Sequence, residues 1–165
     1  SGIHEARILA ALVADPKQVD EELMERWVHD FDSWDVCDQV CSNLFDKTPV
    51  AYLKAVEWAG RQPEYVKRAG FVLMAALAVH DKKAPNQAFE VFFPVILREA
   101  HDERNFVKKA ANWALRGIGK RNRSLNTQAI ALAQQIAQLD SRAARWIARD
   151  ALRELTSSKI QIKLD

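Results

Sequence analysis

Glu64-Tyr65-Val66-Lys67-Arg68-Ala69 and Asn105-Phe106-Val107-Lys108-Lys109-Ala110 decide how this chain folds, because the two hexapeptides share one pattern and each opens an alanine-rich apolar run. The runs continue through Ala75-Ala76-Leu77 and Ala114-Leu115, and a third copy of that ending stands at Ala151-Leu152. Equivalent helices repeating every 30 to 45 residues or so are what stacked helical pairs give. Each pair buries its apolar face on the next, so the spacing predicts an elongated all-α superhelix with one helix layer lining a concave face.

Working outward from those two helices, nearly every segment carries apolar residues at amphipathic-helix spacing, and no run alternates as a strand. The predicted helices are Ile3 to Val13, Val19 to Asp30, Trp34 to Phe45, Val50 to Gly60, Tyr65 to His80, Asn86 to Ala100, Glu103 to Lys120, Thr127 to Gln138 and Arg142 to Leu155. Breakers separate them at Asp15-Pro16, Thr48-Pro49, Gln62-Pro63, Ala84-Pro85 and the pair Gly117 and Gly119. Pro94 is expected to kink one helix. The fold class is therefore an all-α helical-repeat solenoid of the HEAT or armadillo kind, with a single domain over residues 1–156 and a frayed or extended C-terminal tail over 157–165.

A chain of 165 residues, 48% of them hydrophobic, suits one core. The net charge of +2 conceals a segregation along the chain. Ten acids between Asp15 and Asp46 face only Lys17 and Arg26, whereas Arg104, Lys108, Lys109, Arg116, Lys120, Arg121 and Arg123 are interrupted by no acid. That asymmetry points to a nucleic-acid surface. No apolar run approaches the ~20 residues that a membrane span needs. Cys37 and Cys41 stand one helical turn apart, where a disulfide would distort the backbone, so both are read as reduced thiols of a cytoplasmic protein. The chain opens at Ser1-Gly2-Ile3 straight into a helical pattern and is read as the later part of a longer protein.

Chemistry concentrates on the lining helices. In Trp34-Asp35-Val36-Cys37-Asp38 an aromatic ring and a carboxylate share one helix face, an unusual face for a core. Arg68, from the next repeat, is expected to face Asp38 and keep it ionised, while Asp35 reads as a helix N-terminal charge. Lys109, Trp113, Arg116 and Lys120 form a basic stripe with one aromatic inside it, and Arg142, Arg145, Arg149 and Arg153 form another. Rows of cations suit phosphates, and the groove they line would hold a polyanion beside a developing positive charge. For the second stripe a merely solvated face is an equal reading.

Taken together, Trp34 to Asp38, Val66-Lys67-Arg68 and the run Lys109 to Lys120 resemble the DNA alkylation repair family, the AlkD-type alkylpurine DNA glycosylases built from HEAT-like repeats. His4-Glu5-Ala6-Arg7 is similar to that family's early helix, and the resemblance spans nearly the whole chain in the family's order. It implies hydrolytic removal of cationic N3- or N7-alkylated purines from duplex DNA by a monomer, with no metal or organic cofactor and without flipping the lesion. Carried over, Asp38 matches the catalytic aspartate, Trp34 and Trp113 the cleft tryptophans, and Arg68 the phosphate-side arginine. Lys67, Lys109, Arg116, Lys120, Arg145 and Arg149 would contact DNA. The chain departs from the family in lacking several N-terminal helices that help complete the groove.

The remaining candidates are weaker. His4, His29, His80 and His101 are scattered without ligand spacing, so no metal site is expected and the cysteines read as buried helix thiols. Trp27, Trp58 and Trp146 lie among apolar residues and read as core. No phosphate-binding glycine loop or nucleophile elbow occurs. The alternative to a glycosylase is a non-catalytic HEAT-repeat scaffold for nucleic acid or protein, which would use the basic stripe and have no need of Asp38.

Overall fold

In the computed structural model, which describes residues 3–164, the chain is α-helical with two short 3-10 turns and no strand among the described residues. Eleven α-helices follow one another: α1 (His4–Val13), α2 (Glu21–His29), α3 (Trp34–Asn43), α4 (Ala51–Ala59), α5 (Glu64–His80), α6 (Gln87–Glu90), α7 (Phe93–Glu99), α8 (Asn105–Gly119), α9 (Arg123–Ile136), α10 (Arg142–Leu155) and α11 (Ser158–Leu164). α3, α5, α8 and α10 pack side by side as one layer, with α1 laid against α3. α4, α7 and α9 back that layer, each packing on the lining helix that follows it. This is the HEAT-like solenoid that the repeated hexapeptides predict. No helix among the described residues is long and apolar enough to cross a membrane.

α5 is the central element. Every residue from Val66 to Ala78 is buried, because α3 and α8 flank the helix while α4 covers its back. A helix enclosed on all sides needs apolar residues all round, which the alanine-rich run supplies. Gly70 permits the close approach of α4: a Cβ built there would lie 2.3 Å from the Ala59 amide nitrogen and 2.8 Å from the Ala55 carbonyl oxygen. Trp58, Phe45, Phe71, Phe89 and Phe92 fill the space between layers. Of the tryptophans read as core, Trp58 is fully buried, and Trp27 and Trp146 are partly buried against the cluster.

Three predicted elements differ from the structure. The segment expected as one kinked helix over Asn86 to Ala100 is instead two helices, α6 and α7, separated at Val91 and Phe92. Pro94 in the first turn of α7 explains the break, because a proline ring clashes with the carbonyl four residues earlier, here that of Glu90, the last residue of α6. The tail expected to be frayed or extended forms α11, with Ile160 buried. Gln161 anchors it, donating from Nε2 to Asn126 Oδ1 at 3.1 Å and to the Leu155 carbonyl at 2.6 Å. α9 also begins earlier than expected, at Arg123, because the Asn122 side chain caps it by accepting from the Leu125 amide at 3.0 Å.

A buried cation sits where α4 meets α2. Lys54, 2% exposed, donates to Glu25 and Glu57, each at 2.7 Å, and pairs with Glu21 at 2.6 Å. Burial works against ionisation of Glu25, but hydrogen bonds from Lys54, Arg61 and Trp58 outweigh it and bring its pKa from 4.5 down to about 2. A carboxylate with a depressed pKa stabilises the fold above its unfolded value, and that stabilisation is lost as pH falls through the folded value. The melting temperature should therefore drop between pH 4.5 and about 2, and Glu25→Gln should flatten that drop; identical pH profiles for the two proteins would contradict the assignment. Gly70→Ala should lower stability by about 1–3 kcal/mol in urea unfolding through overpacking against α4, and an unchanged midpoint would show that the helices can part without cost.

Candidate active site

α3 starts at Trp34, whose ring is 51% exposed. Val36, Cys37, Val40 and Cys41 turn inward against α5, and both cysteines are free, buried thiols. Cys37 Sγ donates to the Tyr65 carbonyl at 3.7 Å and Cys41 Sγ to the Ala69 carbonyl at 3.9 Å. With that face committed to packing, Trp34 and Asp38 fall on its margin. Asp35, beside them, accepts from the Val36 amide at 3.0 Å and contacts His4 Nε2 at 2.8 Å. Arg7 bonds Asp32 at 2.7 Å, so α1 is tied to the start of α3 by two charged contacts.

Asp38 meets Arg68 fork to fork. Arg68 Nε donates to Oδ1 at 2.8 Å and Nη2 to Oδ2 at 2.7 Å, while Nη1 reaches the Phe106 carbonyl at 2.6 Å. The guanidinium also lies 6.0 Å from the centroid of the Phe106 ring. Burial pushes the Asp38 carboxyl above its ordinary value; the hydrogen bonds and charge of Arg68 oppose that shift, and nearby Asp35 adds to it. Arg68 itself is 6% exposed. The juxtaposition with Asp38 follows the sequence expectation, but the phosphate-gripping role does not, because the bidentate fork and Nη1 are already engaged inside the protein.

The basic stripe is altered more. Lys67, expected on the DNA surface, is 4% exposed and bonds Glu99 at 2.7 Å, with Asp102 at 3.5 Å. Its position on the enclosed α5 leaves no path to solvent, so this expectation is corrected: Lys67 joins α5 to the segment around α7. Arg116 pairs with Glu154 and Asp150, and Lys120 with Glu154 at 2.7 Å. Arg145 contacts Asp140 at 3.2 Å. Lys109 and Arg149 are exposed and make no ion pair among the described residues. The run from Arg104 to Arg123 contains no acid, yet α10 brings Asp150 and Glu154 across to it.

Trp113 is half-buried, and its ring lines a cleft with Lys120 on the C-terminal half of α8. No described contact joins it to Trp34 or Asp38, and α5 lies between its helix and α3. Two aromatic residues escaped the sequence reading: the Tyr65 and Phe106 rings pack beside the Arg68 fork, tilted by 34° with centroids 5.8 Å apart. Their shared position in the two hexapeptides was the available signal. Among the described residues, no group of three or more His, Cys, Asp or Glu side chains is placed to hold a metal ion.

Stacked helical pairs with a carboxylate–guanidinium fork on the lining layer define a HEAT-like repeat protein with a polar groove. The family model for DNA alkylation repair enzymes matches residues 1–155, and the chain belongs to that family. A solved structure described as a new family of proteins related to the HEAT-like repeat DNA glycosylases, with affinity for branched DNA structures, has a TM-score of 0.71 and 19% identity to this chain. It covers 93% of this chain and 70% of its own length, a likeness of fold. No curated protein matches the chain.

Lys67 gives a direct check on this geometry. Lys67→Met should destabilise the fold by roughly 3 kcal/mol, because it removes the partner of Glu99 Oε2 and leaves that buried carboxylate only Arg98, which bonds Oε1 at 2.7 Å, and should leave the salt dependence of DNA binding unchanged. A stable variant with a shallower salt dependence would return Lys67 to the DNA surface.

Proposed function

We propose that the protein is a monomeric alkylpurine DNA glycosylase, hydrolysing the N-glycosidic bond of cationic N3- or N7-alkylated purines in duplex DNA without flipping the lesion. The observation that carries this reading is the half-buried Asp38 carboxylate, oriented by Arg68 and placed one helical turn from the exposed ring of Trp34. An alkylated purine already carries positive charge, so it departs as a neutral base with the electrons of the C1′–N bond and needs no protonation. The sugar left behind is oxocarbenium-like. Asp38 stabilises that charge and orients the water that attacks C1′, and the π face of Trp34 favours the same cation. The water's second proton is released, leaving an abasic sugar in an intact strand.

In this reading Arg68 is a positioning residue, acting through Asp38. Lys109 and Arg149 are the exposed cations available to phosphates, with Arg145, Arg116 and Lys120 exchanging a carboxylate for phosphate when DNA binds. Trp113 would contact DNA further along the chain's lining layer. A second reading, a non-catalytic binder, draws on the internal pairing of the stripe and on the description of the structural neighbour as having affinity for branched DNA structures.

Release of 7-methylguanine and 3-methyladenine from methylated duplex DNA separates the two. Asp38→Asn should reduce release by roughly 100-fold or more while duplex binding stays within about twofold, and a thermal melt would verify that the variant is folded. Full release by Asp38→Asn, or none by the unaltered chain, would remove the glycosylase reading. For binding, Lys109→Ala and Arg149→Ala should each reduce the slope of log K against log salt by about 0.9 if each cation neutralises one phosphate; unchanged slopes would take them off the DNA contact.

A further inference from the structure

The cleft that holds Trp113 stands apart from the Asp38 fork. It lies between the C-terminal ends of α5 and α8, with a volume of about 470 Å³, and includes Val79, Lys82, Trp113, Lys120, Arg121 and Lys163 among its walls. No carboxylate of the described residues is among its walls. Arg121 is committed to structure, donating to the Ala78 carbonyl at 2.7 Å and lying 3.9 Å over the Phe89 ring. Lys120 is held by Glu154 at 2.7 Å. Lys82, in the turn after α5, and Lys163, on α11, have no ion pair among the described residues. Lys163 reaches the cleft only because the C-terminal segment folds as α11 and is anchored through Gln161. The indole N–H of Trp113 likewise has no hydrogen-bond partner among the described residues.

Two free ammonium groups and an aromatic ring in a cleft of nucleotide size form a recognisable combination. Cations follow a phosphate backbone, and an aromatic face takes a nucleobase by stacking. A base inside a duplex has both faces covered by its neighbours, so the ring can accept only an unpaired one. We propose that this cleft seats an unpaired nucleotide of a DNA strand leaving the duplex, with its phosphate between Lys82 and Lys163 and its base against Trp113. The proposal deepens the DNA-binding part of the reading above and is independent of the chemistry at Asp38. It makes a fork or flap adjoining the lesion-bearing duplex a better ligand than a blunt duplex.

The test is a fluorescence-anisotropy titration of the whole chain with a blunt duplex and with the same duplex carrying a single-stranded arm, repeated for the Lys82→Glu/Lys163→Glu double variant. Both side chains are exposed, and a thermal melt checks that the variant folds. The unaltered chain should bind the forked DNA about tenfold more tightly, the size expected from stacking one base. The double variant should lose that preference while keeping its affinity for blunt duplex and its base-release rate. Equal affinity of the unaltered chain for both DNAs would overturn the proposal, as would an equal fall for both DNAs in the variant or a preserved preference. Base release is scored in parallel, so its absence would remove the glycosylase reading while a fork preference abolished by the two substitutions would still stand.

Discussion

A cation on a helix that is enclosed on every side must find its countercharge within the protein, and the fork between Arg68 and Asp38 is how α5 meets that requirement at the site. The alternative, an unpaired buried guanidinium, would cost several kcal/mol. By donating also to the Phe106 carbonyl, the same side chain links α3, α5 and α8. The preceding residue solves the same problem in another direction: Lys67 reaches Glu99. Adjacent positions on a helix point about 100° apart, so one cation serves the lining layer and the other the layer behind it.

The fork belongs to a series of charged contacts running from helix to helix along the lining layer. Arg7 reaches Asp32, Arg68 reaches Asp38, and Arg116 and Lys120 reach Glu154. Each contact joins neighbouring repeats. A groove neutralised in this way attracts a polyanion less strongly than a bare row of cations would, and in the proposed function binding draws on the cations left unpaired, among them Lys109 and Arg149. Charge at a partly exposed pair is the easiest to exchange for phosphate, because solvent already screens it.

Much of the fold was legible in the repeated hexapeptides, since Val66 and Val107 mark the same buried position on successive lining helices and the alanine runs mark where helices pack closely. The break at Pro94 was visible, but its outcome was not: a kink and a full interruption differ by a few backbone hydrogen bonds. The tail Ile160-Gln161-Ile162 is too short for helical periodicity to outweigh alternation, and its helix depends on Asn126, far away in the chain. At the site, the Asp38–Arg68 juxtaposition was anticipated from repeat spacing. Lys67 and Arg68 carry identical local signals, and only the enclosure of α5 separates a buried strut from a site residue. The acids that neutralise Arg116 and Lys120 lie on the following helix pair, outside any local window of sequence.

The central claim is that an ionised Asp38, shifted upward by burial and steadied by Arg68, carries base release. Its most direct test is the pH dependence of single-turnover 7-methylguanine release from methylated duplex, measured at saturating protein for the unaltered chain and for Asp38→Asn. Protonation removes the carboxylate charge, so the rate should fall on the acid side through one ionisation lying above 3.8, the ordinary aspartate value, with that limb missing from the residual activity of the variant. A rate that is flat through that range, or an acid limb that persists in Asp38→Asn, would contradict the account.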